Sequence, residues 1–193
     1  MIFLDLIIAH LLGDFVFQSN DLIQKKYKTW VGTFQHVCII TLFTVLALMP
    51  YWEHRETWVV VGTIFGVHFV QDWLKIAYDI NFNQKKSTLP FFVDQILHVT
   101  LIYFLSPMLE GLAPLALPAW LMLPYANEIL AVYAMGVILF SFTYDITLYQ
   151  FTRQKSKKPL EYKPDYKGMR SRLGIYTLIY LITVILIVGG RFM

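Results

Sequence analysis

Charge is what this sequence has least of. Of its 193 residues, 15% are Asp, Glu, Lys or Arg and 57% are apolar, against roughly 25% and 45–50% in soluble domains. That balance excludes an ordinary water-soluble globule and points to a chain that crosses a membrane several times. No Lys or Arg precedes Lys25, so the first segment lacks the basic region of a secretory signal peptide and is expected to stay in the mature fold. Cysteine occurs once, at Cys38. A single thiol excludes intrachain disulfides and thiolate clusters, and its place in an apolar run suggests packing.

Long apolar runs are what the chain has instead. A spanning helix needs about 20 mostly apolar residues, and six segments qualify, near residues 2–18, 31–51, 58–78, 89–108, 126–149 and 173–190. The expected fold is therefore all-α, one polytopic membrane domain over residues 1–193. The first segment is the shortest: Ile2 to Phe17 rises only about 24 Å as a helix, and its polar residues argue that neighbouring helices shelter it. Ser87 or Thr88 with Pro90 marks the start of the fourth span, and Gly189–Gly190 the end of the last. The last span, "IYTLIYLITVILIV", carries no charge and reads as a lipid-facing strut. Pro114, Pro118 and Pro124 disfavour one continuous helix between spans four and five and suggest an interfacial or re-entrant cap. Trp30, Tyr51, Trp52, Trp58, Trp73 and Trp120 fall near span ends, as an interfacial belt does.

The few charges are sorted by side. Lys25, Lys26 and Lys28 follow span one, Lys75, Lys85 and Lys86 follow span three, and residues 153–172 hold eight cations against two acids, so 14 of the 16 Lys and Arg share one face. The positive-inside rule makes that face cytoplasmic, with 150–172 a cytoplasmic loop and both termini outside a bacterial inner membrane. The basic loop is chiefly a topology determinant. Arg170 and Arg172, at the start of span six, are in addition candidates to bind an anionic lipid or a substrate phosphate, with Asp145 placed to pair with one of them. Nothing suggests a nucleic-acid partner, because no stacking-aromatic pattern accompanies the charge.

With this topology His10, Asp14, His36, His68, Asp72, Asp94 and His98 converge on one layer near the cytoplasmic surface. Within "HLLGDFVFQ", residues 10–18, the spacing places His10, Asp14 and Gln18 on one helix face, and the same i, i+4 spacing recurs in His68/Asp72 and, reversed, in Asp94/His98. Short matches between "HLLGDFVFQ" and "HFVQDWLKI", and between "FQHVCIITLF" and "ILHVTLIYFL", suggest a two-hairpin repeat across spans one to four. Neutral imidazoles and carboxylates are the usual ligands of zinc, manganese or iron. The seven residues suffice for two ions, with Gln18 and Gln95 supporting the ligands and Asp94 and Lys75 as catalytic candidates. The plain alternative is hydrogen bonding between helices, worth around 0.6 kcal/mol on average in measured membrane cases. Against it stands the cost of placing each Asp in a membrane, about 2.5–3.5 kcal/mol on insertion scales.

The run "HLLGDFVFQ", basic "KKYK", His36, "HFVQDWLK" and "DQILH" resembles the bacterial membrane family catalogued as domain of unknown function 3307, over roughly residues 1–105. That resemblance implies an integral membrane protein and brings no activity. More faintly, and without a full motif match, the spaced His and Asp resemble those of membrane-bound metal-dependent hydrolases.

Three functional readings follow: a divalent-metal site hydrolysing a lipid headgroup or phosphoester, a small ion- or proton-coupled transporter or substrate-binding membrane subunit, and a non-catalytic membrane scaffold. The outer halves of spans two and four, "TLFTVLALM" and "LIYFLSPM", carry no charge, which favours a one-sided inner site. On a Cys38→Ser background, a cysteine at Lys28 is expected to react with an impermeant maleimide only from the cytoplasmic side, and one at Glu128 only from outside. Labelling of both from one side of oriented vesicles would refute the topology.

Overall fold

Two side-chain caps lie close together near the start of the chain. Ser19 Oγ accepts from the Leu22 amide at 3.2 Å and Thr29 Oγ1 from the Gly32 amide at 3.3 Å, each satisfying a donor that a helix start leaves free. In the computed structural model, which describes residues 1–82, 87–155 and 162–189, α1 (Ile2–Leu11) runs into a π-helical turn at Leu12–Val16. The chain then bends by 87° into α2 (Asn20–Lys28). Next come α3 (Trp30–Ala47), α4 (Arg55–Asn81) and α5 (Leu89–Leu105), the last extended by a tighter turn at Ser106–Leu109. After α6 (Ala119–Ala126), α7 (Glu128–Ile138) passes through a second π-helical turn at Leu139–Thr143 into α8 (Tyr144–Lys155), and α9 (Tyr166–Gly189) follows.

Apart from short 3-10 and π turns, every regular element among the described residues is an α-helix. Among the described residues, five helical segments are long and apolar enough to cross a membrane, or six if the bent pair α1–α2 forms one span. The sheltering expected of the first segment is pronounced: α1 packs against α3, α5 and α7, and seven of its ten residues are buried. By contrast the apolar stretch of α9 buries none of its residues, as expected of an outer strut. A helix that carries Asp5 and His10 and leads into Asp14 is far cheaper at the centre of a bundle than at its rim.

The structure departs from the sequence reading in three places. "KKYK" is the end of helix α2 rather than loop, with Lys26 only 9% exposed. Cys38 lies on an exposed face of α3, so it does not pack in the core. In the proline-rich stretch, Pro118 starts a short helix and Pro124 lies inside it. That stretch nevertheless caps one end of the bundle: the Leu115 amide donates to Pro50 O at 2.7 Å, His54 Nε2 to Ala113 O at 2.8 Å and Tyr125 Oη to Leu46 O at 2.7 Å. Lys85, Lys86, residues 156–161 of the basic stretch and the helix stop at Gly190 lie outside the described residues.

Beneath this cap an apolar core of Leu6, Ile40, Leu48, Val60, Ile64 and Leu109 fills one half of the bundle. Two glycines allow close approaches to α3, one from the π-helical turn and one from the end of α2. A Cβ on Gly13 would meet Ile40 Cδ1 at 2.1 Å, and one on Gly32 would meet the backbone carbonyl carbon of Lys25 at 2.3 Å and the Lys26 nitrogen at 2.4 Å. Gly32 therefore lets the end of α2 lie directly on the start of α3. Because the obstacle is backbone, Gly32→Ala is expected to destabilise the fold by about 1–3 kcal/mol, read as a lower denaturation midpoint in detergent, whereas Gly62→Ala, which meets nothing within 4 Å, is expected to have little effect.

Candidate metal centre

His10 closes the last turn of α1 and Asp14 sits in the π-helical turn that follows, where Phe17 N donates to Leu12 O at 2.9 Å. Such one-turn widenings are enriched at functional sites. His36 comes from α3, His68 and Asp72 from α4, and Asp94 and His98 from α5. All seven side chains are buried, His36, His68 and His98 to within 1% of full burial. Four of the five histidines thus meet in one layer, while His54 lies at the opposite, capped end.

Three ligand atoms form a small triangle. Asp14 Oδ1 lies 3.0 Å from His36 Nε2 and 3.7 Å from His68 Nε2, and the two histidine nitrogens are 3.4 Å apart. Asp72 Oδ2 adds a fourth point, 3.5 Å from His36 Nε2 and 4.0 Å from His68 Nε2. Tetrahedral ligands bound at about 2.1 Å are separated by about 3.4 Å, so the Asp14/His36/His68 triangle has the dimensions of three ligands that could hold one ion. His10/Asp14/His98 and His68/Asp72/His98 are two further groups whose ligand atoms lie within 4.8 Å of one another.

The surrounding amides orient this layer. Gln95 Nε2 donates to Asp14 Oδ2 at 2.8 Å, while its Oε1 accepts from His10 Nε2 at 3.3 Å, which commits one His10 nitrogen and one Asp14 oxygen to Gln95. Gln18 Nε2 donates to His36 Nδ1 at 3.0 Å. The same Nε2 also lies 3.3 Å from His36 Nε2, so the orientation of the Gln18 amide bears on which His36 nitrogen carries the proton and which is open as a ligand. Neither ring nitrogen of His98 has a hydrogen-bond partner among the described residues, although its ring lies against that of His68 with centroids 3.9 Å apart. Unpartnered buried nitrogens of this kind are costly and fit a group with ligand capacity to spare.

Two lysines complete the electrostatics. Lys26 Nζ contacts Asp72 Oδ2 at 2.5 Å and Lys75 Nζ contacts Asp94 Oδ2 at 3.0 Å. Below the layer a cavity of about 620 Å³ is lined by Asp14, Asp72, Asp94, Lys26 and Lys75 together with polar residues of α2, α8 and the segment before α9. Above the layer the remaining space, between Leu6, Ile40, Ile64 and Ile102, is only about 10 Å³, at the lower limit for a single water. The layer is thus open to one end of the molecule and closed by apolar side chains toward the other.

Every expected ligand, both glutamines, Asp94 and Lys75 come together here. Arg170 and Arg172 do not line the cavity. Arg170 is exposed, and Arg172 forms an ion pair with Asp145 and donates through Nε to Phe140 O at 2.9 Å. The pairing of Asp145 with one of these arginines is therefore present, and it occupies the guanidinium. Sequence reasoning missed Lys26, Asp79, which accepts from Tyr27 Oη at 2.6 Å, and Arg153. The Ser19 cap followed by an amphipathic run was the one signal that could have placed Lys26 on a helix.

The model of the family described as "Protein of unknown function (DUF3307)" matches residues 2–123, the stretch that supplies all seven ligand candidates. No curated protein and no solved structure matches the chain. From the geometry, Lys26→Met strands a buried carboxylate and is expected to cost about 3–5 kcal/mol, read as a lowered unfolding midpoint. Adding Asp72→Asn is expected to restore most of it. Independent, additive losses would show that the pair does not couple.

Proposed function

This chain belongs to the DUF3307 family of unknown function, so its role has to be argued from the site, and we propose that it is a divalent-metal-dependent hydrolase of phosphoesters or lipid headgroups. In this reading it is an integral protein of a bacterial inner membrane, with its basic loops cytoplasmic and its termini outside. The observation that carries the reading is the triangle of Asp14 Oδ1, His36 Nε2 and His68 Nε2 at 3.0, 3.4 and 3.7 Å, with Asp72 beside it, bordering a cavity of about 620 Å³. That volume lies in the range of small-molecule sites.

Zinc, manganese or iron held by Asp14, His36, His68 and Asp72 would polarise a phosphoryl oxygen and acidify water. Asp94 is assigned as the general base and Lys75 as the cation that pairs with it and holds it in place, 3.0 Å away. Gln18 and Gln95 set the orientation of His36, His10 and Asp14, as outer partners of metal ligands do. His10 and His98 offer further ligand atoms for a second ion. The transport reading needs a polar route through the apolar half of the bundle, and the packed core of Leu6, Ile40, Ile64 and Ile102 argues against it.

Elemental analysis of detergent-purified protein, prepared without chelator, is expected to find one or two ions per chain. His36→Ala is expected to lose metal, and Gln18→Ala to bind it about 10- to 100-fold more weakly. Asp94→Asn is expected to keep metal while slowing hydrolysis of a phosphoester by roughly 10²-fold or more. Metal-free wild-type protein that also fails to take up added zinc, manganese or iron would overturn the proposal.

A further inference from the structure

The cavity has a second wall that the metal reading leaves unused. It comes from α8, which contributes Gln150 and Arg153, and from Tyr162 in the segment before α9. Arg153 Nε, Gln150 Oε1 and Tyr162 Oη are buried atoms with no hydrogen-bond partner among the described residues. Three unpartnered polar groups on one wall are more than chance packing leaves in a native interior, where buried polar atoms are nearly always paired.

Two of the three are donors: a guanidinium is donor only and a phenol donates. Gln150 presents an acceptor oxygen in this orientation and N–H donors when its amide is reversed by a half-turn. Burial pushes the Tyr162 phenol up to about 12, so at neutral pH it keeps its proton to donate. The other two cations of the cavity are already committed, Lys26 to Asp72 and Lys75 to Asp94. Arg153 has no carboxylate within ion-pair distance among the described residues. Its guanidinium lies 5.7 Å from the centre of the Tyr149 ring, a contact through the face of the group that leaves its N–H edge for a ligand.

We propose that Arg153, with Tyr162 and Gln150, forms a subsite for the phosphoryl group of a phosphate ester. A planar guanidinium edge matches two phosphoryl oxygens at once, and a phenol and an amide supply the remaining donors. The cavity is also lined by the carboxylates Asp14, Asp72, Asp79 and Asp94, which repel an anion, so Arg153, the one lining cation without a paired carboxylate among the described residues, is where it is drawn. What then happens to the ester rests on the hydrolase reading, whereas binding does not. The same chemistry serves a soluble ester and the headgroup of an anionic lipid.

The test is titration calorimetry of detergent-solubilised, full-length protein with inorganic phosphate and with phenyl phosphate, alongside metal content of the same samples. Arg153→Ala is expected to weaken both ligands about tenfold or more, since hydrogen bonds to charged groups contribute about that factor. Arg153→Lys is expected to recover part of the loss, and Arg170→Ala to behave as wild type. In unmodified protein, phosphate is expected to slow the reaction of Arg153 with phenylglyoxal, located by mass spectrometry, which needs no variant to fold. Competition by vesicles containing phosphatidic acid, but not by phosphatidylcholine vesicles, would identify a lipid headgroup; its absence would identify a soluble ester, and either supports the subsite. Equal phosphate affinity in wild type and Arg153→Ala, or no binding of any of these probes, would overturn it even if metal is present. Arg153-dependent binding to protein that takes up no metal would instead overturn the hydrolase reading alone.

Discussion

The three carboxylates buried in the histidine layer of an apolar helix bundle are the constraint on which the rest of this structure depends. Asp14, Asp72 and Asp94 are each less than 10% exposed, and an isolated buried carboxylate is among the most expensive groups a fold can carry. Two of them are matched by permanent cations, Asp72 by Lys26 and Asp94 by Lys75. Asp14 is not. Its neighbours are Gln95, which donates to it, and the imidazoles of His10, His36 and His68. The corner of the layer that lacks a fixed positive charge is therefore also the corner with the tightest set of ligand atoms, where a divalent cation would supply what the side chains do not.

Meeting that constraint shapes the backbone. Lys26 reaches Asp72 because the chain bends by 87° after the first π-helical turn and because Gly32 admits the end of α2 onto α3. The π-helical turn holds Asp14 itself. These irregular features gather at the polar half of the bundle, whereas the opposite half is plain apolar packing under a cap of short, proline-bounded chain. Sidedness of the site is thus a property of the whole architecture and not of one pocket.

The cavity inherits a polarity from its two sources. The π-helical turn after α1 and helices α4 and α5, from the stretch that matches the family, supply its carboxylates Asp14, Asp72, Asp79 and Asp94. Helix α8 and the chain before α9, which lie outside that matched stretch, supply a wall of donors. A ligand with an anionic end suits that division.

Much of this was legible in the sequence because it follows from local rules. Apolar segments of near-spanning length and His and Asp at i, i+4 spacing on three of them point to an all-helical bundle with one polar layer. Tertiary structure decided the rest, since partners far apart in sequence cannot be paired by periodicity. Lys26 looked like one loop lysine among three, yet the bend before α2 turns it inward to Asp72, while Lys25 and Lys28 stay exposed. Arg172 looked free to bind an anion and is held by Asp145, while Arg153, indistinguishable from it by composition, faces the cavity. Hydrophobic pattern sets which faces turn inward, but which buried charge meets which counter-charge is settled only when the helices pack, because that choice depends on distances of a few ångströms that no single helix contains.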